Sequence, residues 1–304
     1  MSVSFSIIIP HRDCPDLLQR CLDSIPVRND IQIIVVDDNS NPSIVDFCHF
    51  PGRDRNGVEV YLTKEGKGAG YARNVGLHYA KGKWVIFADS DDLFTETIHP
   101  LLSMLEDADE DIVYFGIKAV MSNDLTSLSN RMPWNRAYIR SLLNNEPDAE
   151  NNIRVRWVVP TGKAIKRSLI ESNRLHFSEV RWSNDILFSI SAAVSAKTIS
   201  GFDKDVYLLT ERENSLTSHY CGTLAEMSCR LSEAIKYDRL VVENGYTFPW
   251  RPSTEIVLDY VWNNNGHKFW IKSVFYHLFR PIELSKIVLF SAKKVFAKIR
   301  RASK

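Results

Sequence analysis

The sequence is poor in cysteine and has no paired ones. Cys14, Cys21, Cys48, Cys221 and Cys229 form an odd set without a CxxC spacing, which argues against a disulfide framework and against a cysteine zinc site. Long apolar runs are missing too. The stretch from Phe5 to Ile9 stops at Pro10, His11, Arg12 and Asp13, too soon for a signal peptide or a membrane span, so a reducing cytoplasmic setting is the expectation. No HExxH or similar spacing relates His11, His78, His99, His176 and His219; of these His219, which follows an arginine motif, is the one retained as a candidate. The glycines match neither GxGxxG nor GxxxxGK[ST], which disfavours a dinucleotide fold and a P-loop. No internal repeat is visible, and there is almost no excess of charge, with 38 Lys and Arg against 37 Asp and Glu.

What is present suits a globular protein with a sizeable core: 304 residues, 44% hydrophobic and 25% charged, enough for one large domain with an appendage or for two small domains. The net charge of +1 hides a division. Ten basic residues and one acid, Glu283, lie between Lys268 and Lys304, a net +9, which leaves 28 basic and 36 acidic side chains, a net −8, in the rest. An acidic body and a basic tail imply different partners for the two.

Ser6–Pro10 and Ile31–Val36 are short β-branched runs of the kind found in parallel strands buried on both faces, and the apolar spacing of Leu17, Leu18, Cys21, Leu22 and Ile25 predicts a helix between them. A third strand at Val58–Leu62 precedes a glycine-rich turn and a helix from about Gly70 to Ala80, and Trp84–Ala88 reads as a fourth. This alternation predicts a mostly parallel α/β sheet, its functional groups gathered at the carboxyl ends of the strands. Further on, Asp111–Phe115 and Val206–Leu209 read as strands, Asn184–Ala193 as a helix, and Thr223-Leu224-Ala225-Glu226 as a capping box opening another helix.

Acids recur where strands are expected to end. Asp37-Asp38-Asn39-Ser40 follows one strand and Asp89-Ser90-Asp91-Asp92 another. Either cluster alone also reads as an ordinary turn or helix cap. Together they suggest like-charged carboxylates stabilised by a cation, and an Asp-x-Asp suits Mg²⁺ or Mn²⁺ with coordination positions left for the phosphate oxygens of a diphosphate. The segment from Lys64 to Gly76 adds a glycine-rich turn with Lys64, Lys67 and Arg73.

These motifs, Ser6–Pro10, Val35–Ser40, Gly70–Gly76 and Phe87–Asp92 in this order, resemble the family 2 inverting glycosyltransferases of GT-A fold, of the bacterial surface-polysaccharide type. The resemblance is dense over the first third and continues more thinly through Gly162–Leu169, Trp182–Phe188 and Arg212–Thr217. It implies an α/β GT-A domain over 1–220, its Rossmann-like sheet mixed, mostly parallel and flanked by helices, with a nucleotide-binding half (1–110) and an acceptor-binding half (111–220), followed by a helical, amphipathic region over 221–304. It implies that Asp38 hydrogen-bonds the uracil of a nucleotide-diphospho sugar, that Arg73 lies near the base or phosphates, and that Asp89 and Asp91 form the DXD motif, Asp91 as principal metal ligand. Pro10, Arg12, Lys64, Gly70, Asn74 and Ser90 complete the expected donor site. Asp185 would be the general base; Asn184 stands where the family usually has Glu, and Arg12-Asp13 where it often has an aromatic beside Asn. Lys163, Trp182, Asn184, Arg212 and His219 are the remaining candidates for diphosphate or acceptor contacts. The implied activity is metal-dependent transfer from a UDP-sugar to a saccharide acceptor, lipid-linked through polyprenyl diphosphate, in capsule, O-antigen or exopolysaccharide synthesis.

In the tail, Pro281 and Glu283 suit a helix start, with Leu284, Ile287, Val288, Ala292, Val295, Phe296 and Ile299 on one side and Lys286, Lys293, Lys294, Arg300 and Arg301 largely opposite. Preceded by Phe269, Trp270, Phe275, Tyr276 and Phe279, this reads as an interfacial anchor on an anionic membrane, each basic residue contributing about 1 kcal/mol. A core-packing helix with a basic solvated face is the alternative, and nucleic acid is not an expected partner. The expected location is therefore the inner face of the cell membrane, peripherally bound. Two rival functions for the body are a haloacid dehalogenase-like phosphatase using Asp89 and Asp91, and a non-enzymatic phospho-acceptor domain using Asp37 and Asp38.

Overall fold

The computed structural model describes residues 3–212, 223–248 and 252–257. The chain divides into two compact units, Met1–His219 and Tyr220–Lys304.

In the first unit, β1 (Phe5–His11), β2 (Ile31–Asp38), β3 (Val58–Thr63) and β4 (Trp84–Phe87) are parallel in the order β3–β2–β1–β4. β1, β2 and β4 are buried at every residue, which is why their centres are continuous apolar runs rather than alternating ones, while β3 at the edge is mostly half-buried. Beyond β4 the sheet becomes mixed. β8 (Lys163–Lys166) runs antiparallel to β4 and to β6 (Ile112–Met121), and β6 runs parallel to β9 (Ile199–Glu211). β5 (Leu93–Phe94) pairs antiparallel with β9, and β7 (Asp124–Leu128) pairs with β6.

The first two helices lie near their expected positions. α1 (Pro15–Asp23) opens on Pro15, whose fixed φ suits a first turn, and buries Leu18, Cys21 and Leu22. α2 (Ala69–Tyr79) lies on β1 and β2 and turns Gly70, Ala72, Arg73 and Gly76 inward. α3 (Ile98–Asp107), α4 (Asn135–Leu143), α5 (Ala149–Arg156), α6 (Arg167–Ser172) and α7 (Ile186–Ser195) complete the unit. The helix expected from Asn184 begins at Ile186, because Ser183 adopts a left-handed φ of 57° and Asp185 takes the N-cap position. The strands expected over Asp111–Phe115 and Val206–Leu209 are the cores of much longer ones. Bulges around Phe115–Ile117 shift the register of β6 against β9 and interrupt the pattern that would have revealed their length.

In the second unit, α8 (Leu224–Glu243) starts as its capping sequence predicts, with the Glu226 amide donating to the Thr223 hydroxyl. No described helix is long and apolar enough to cross a membrane. The basic segment from Lys268 to Lys304, with its aromatic approach and the helix proposed after Pro281, lies outside the described residues, as do Glu213–Thr217, His219 and Cys221.

Candidate active site

The carboxyl ends of β1, β2 and β4 are neighbours because these strands are adjacent and parallel, so the turns that follow them meet in one region. After β2 the two adjacent acids diverge. Asp37 is consumed internally: its carboxylate lies 2.8 Å from Nδ1 of buried His11 and accepts from the Ser40 amide and hydroxyl. Burial alone would raise its pKa, but the His11 and Ser40 hydrogen bonds hold it below the ordinary value. The His11 imidazole is pushed up to about 9: burial opposes the charged form, and hydrogen bonds to Asp37 and Cys14 prevail. Asp37 therefore fixes the turn.

Asp38 faces the glycine-rich loop. It accepts from the Lys67 amide at 3.1 Å and the Gly68 amide at 2.6 Å, and the Arg12 guanidinium stands 3.9 Å away, half-exposed. Gly68 reaches it with a φ of 98°, a conformation that a side chain would strain.

The turn after β4 carries the acid cluster. Asp89 is paired with Arg73 at 2.5 Å and Asp91 with Arg212 at 2.7 Å. Ser90 is buried, its hydroxyl 3.3 Å from the Cys14 thiol. Burial and the charge of Asp89 raise the pKa of Asp91 despite Arg212. Asp92 turns inward, 3% exposed, and is raised further by burial and by both neighbouring acids.

Arg73 joins this turn to the expected base. One nitrogen binds Asp89 and the other donates to Asn184 Oδ1 at 3.1 Å, across 111 residues of sequence. Its Nε is buried without a hydrogen-bond partner among the described residues. The approach is close because Gly70 has no side chain: a Cβ there would overlap the carbonyl oxygen of Ser178 and press on Asn184. Asp185 follows at the N-cap of α7, and although part of its surface stays open, desolvation raises its pKa against the opposing charge of Arg73. Trp182 is half-exposed under the Arg181 guanidinium, 5.1 Å from the ring centroid.

Four other candidates are placed elsewhere. Pro10 is buried within β1. Both polar atoms of the Asn74 side chain are taken by the Phe177 backbone, so it ties α2 to the segment before Asn184. Lys64 is exposed and lines a cavity of about 620 Å³ with Tyr61, Tyr71, His78 and Tyr79. Lys163 is fully buried in β8, donates to the Trp157 carbonyl at 2.9 Å, and has its pKa lowered to about 7 by desolvation, opposed by the charge of Asp185. Sequence reasoning missed Arg20, Tyr207 and Thr210, which hold the acid turn from behind; no local pattern marks them.

The residues present suit a divalent cation shared with a substrate. Two like-charged carboxylates lie on one turn, each offset by an arginine, and the described residues contain no cluster of three or more acid, His or Cys groups that could hold a metal. A hard cation bound by few carboxylates completes its shell with phosphate oxygens and water.

The mixed sheet with its acidic turn beyond a parallel first half is a GT-A-like arrangement. Residues 6–172 match the family described as Glycosyl transferase family 2, and the chain belongs to that family. The family assignment replaces the phosphatase and phospho-acceptor alternatives. Among its relatives is the poly(ribitol-phosphate) beta-glucosyltransferase of Bacillus spizizenii, 27% identical over 221 residues, an alignment covering 69% of this chain and 33% of that protein. Another is the uncharacterized glycosyltransferase EpsJ of Bacillus subtilis, 27% identical over 227 residues, 70% of this chain and 62% of that one. The chain thus spans between a third and about three fifths of the length of these relatives. In fold it is similar to S. aureus TarS 1–349 solved with UDP-GlcNAc, at a TM-score of 0.62 and 19% identity, covering 97% of this chain and 92% of that one.

Proposed function

We propose that this chain is a metal-dependent inverting glycosyltransferase that moves a sugar from a UDP-sugar to a saccharide acceptor in surface-polysaccharide synthesis. The observation that carries the reading is the double attachment of Arg73, to Asp89 and to Asn184 beside Asp185, which draws the expected donor site and the expected base together. The fold neighbour solved with UDP-GlcNAc supports the donor class, and the relative named for glucosylating poly(ribitol-phosphate) supports transfer to a polymeric acceptor.

In this reading residues 1–110 bind the nucleotide and 111–220 the acceptor. Asp38 and the loop before α2 receive the base, with Arg12 alongside. Asp91 and Asp89 hold Mn²⁺ or Mg²⁺, and the bound cation supplies charge neutralisation to the diphosphate. Arg73 and Arg212 are fixed cations at the same place, suited to the negative charge that develops on the leaving group. Asp185 removes the proton of the acceptor hydroxyl on the face opposite the diphosphate, as displacement with inversion requires, and its raised pKa strengthens it as a base. Trp182 offers the acceptor a ring face. The basic tail from Lys268 to Lys304 suits an anionic membrane surface, which would bring the enzyme to a polyprenyl-diphosphate-linked acceptor at the cytoplasmic face.

A panel of nucleotide sugars, assayed for hydrolysis with and without Mn²⁺, tests the reading. Cation-dependent turnover of one or more UDP-sugars is expected, and turnover of none overturns it.

A further inference from the structure

Every residue of the Asp89–Asp92 turn is tied to an element distant in sequence. The Asp89 amide donates to the Tyr207 hydroxyl at 2.8 Å, and the same hydroxyl donates to Asp92 Oδ2 at 2.8 Å. The other oxygen of Asp92 accepts from the Thr210 amide at 2.6 Å. The Asp91 carbonyl accepts from the Thr210 hydroxyl at 2.7 Å and from Arg20 at 2.8 Å, and Ser90 meets Cys14. Within the turn, the Asp92 amide closes on the Asp89 carbonyl at 3.1 Å.

We propose that Tyr207 and Asp92 are positioning residues that set the shape in which Asp89 and Asp91 present their carboxylates to a divalent cation, and that Asp92 is not a third ligand. The inference rests on the donor-site reading above. Asp92 has both oxygens engaged and is 3% exposed, so it points into the sheet while Asp89 and Asp91 point out of it. The tyrosine hydroxyl is suited to the task because it is donor and acceptor at once: it receives the Asp89 amide and gives its proton to Asp92, fixing the first and last residues of the turn against each other. Tyr207 is itself fully buried in β9, whose parallel ladder with β6 keeps it in register. β9 ends at Glu211 and Arg212 follows it directly, so the strand that sets the backbone of the turn also leads to the cation beside Asp91. Partners of metal-binding carboxylates typically change metal affinity by about 10- to 100-fold when removed.

The test is Tyr207→Phe in the full chain, which keeps the ring and removes both hydrogen bonds. Mn²⁺ binding to the donor-free protein is followed by electron paramagnetic resonance, and UDP binding in saturating Mn²⁺ by calorimetry. Mn²⁺ affinity is expected to fall about 10- to 100-fold, with UDP binding largely recovered once Mn²⁺ saturates. Leu209→Ala, a destabilising change on the same strand, should leave Mn²⁺ affinity unaltered, which separates positioning from general loss of stability. If Tyr207→Phe does not fold, Thr210→Val, which removes only the bond to the Asp91 carbonyl, is expected to shift Mn²⁺ affinity in the same direction. Wild-type affinity in the folded variant overturns the inference. Failure of the wild type itself to bind Mn²⁺ or UDP overturns the donor-site reading instead.

Discussion

Arg212 Nη2 stands 2.7 Å from Oδ2 of Asp91, so the last residue described in the first unit places a cation on the carboxylate that the DXD reading assigns to the metal. Such a cation serves a departing diphosphate only if the metal can also reach Asp91. Arg212→Ala is expected to lower kcat about 100-fold, the scale for removing one donor to a developing anion, without weakening Mn²⁺ binding to the donor-free enzyme. Steady-state kinetics with a Mn²⁺ titration checks this, and a matching loss of Mn²⁺ affinity would assign Arg212 to shaping the metal site.

Asp91→Ala removes the expected principal ligand. Metal-dependent binding of UDP-sugar should disappear in calorimetry while the fold, followed by circular dichroism, persists. Normal cation-dependent binding would remove Asp91 from that role.

Asp185 predicts opposite effects on activity and stability. Asp185→Asn should abolish transfer while sparing donor binding. Because the folded-state pKa is raised, the native protein holds this proton more tightly than the unfolded chain, and stability is lost as pH rises through that window. The Asn variant escapes this cost and should melt at a higher temperature than the wild type at pH 7 to 8, measured by calorimetry. In wild-type kinetics, the acidic limb of kcat should fall above the ordinary carboxylate range, since the base works only when ionised.

At Gly70 the expected effect is steric. Gly70→Ala drives a methyl group into the Ser178 carbonyl and Asn184, costing about 1–3 kcal/mol of stability and loosening the Arg73–Asn184 link. Denaturant melts give the first effect, and a fall in kcat larger than the change in donor affinity gives the second.

The tail is tested by flotation. Deleting Lys268–Lys304 should abolish association with anionic liposomes and leave hydrolysis of free donor intact; unchanged flotation would exclude a membrane role for it.

The first half of the sheet could be read from sequence because its signals are local: unbroken β-branched strands, a glycine-rich turn, and acids directly after strands. The roles within those acid pairs could not. Asp37 binds His11, 26 residues earlier, whereas Asp38 turns to the glycine-rich loop and accepts the Lys67 and Gly68 amides. Lys163 is a candidate diphosphate or acceptor contact by resemblance, yet it sits buried in the sheet, since β8 is inserted between β4 and β6. Asn74 belonged to a donor-site motif by resemblance, and its amide is spent on Phe177, a pairing across 103 residues. Tyr207 reads only as part of a strand, because its partners Asp89 and Asp92 lie 118 and 115 residues away in sequence. What depends on tertiary pairing is absent from periodicity and motif spacing.

The most direct test of inverting transfer is the anomeric configuration of the first product, followed by proton NMR during turnover of an α-linked UDP-sugar with Mn²⁺ and a saccharide acceptor. The account predicts a β-linked product from the first turnovers, absent with Asp185→Asn. An α-linked product, or β-product formed equally by the Asn variant, would contradict it.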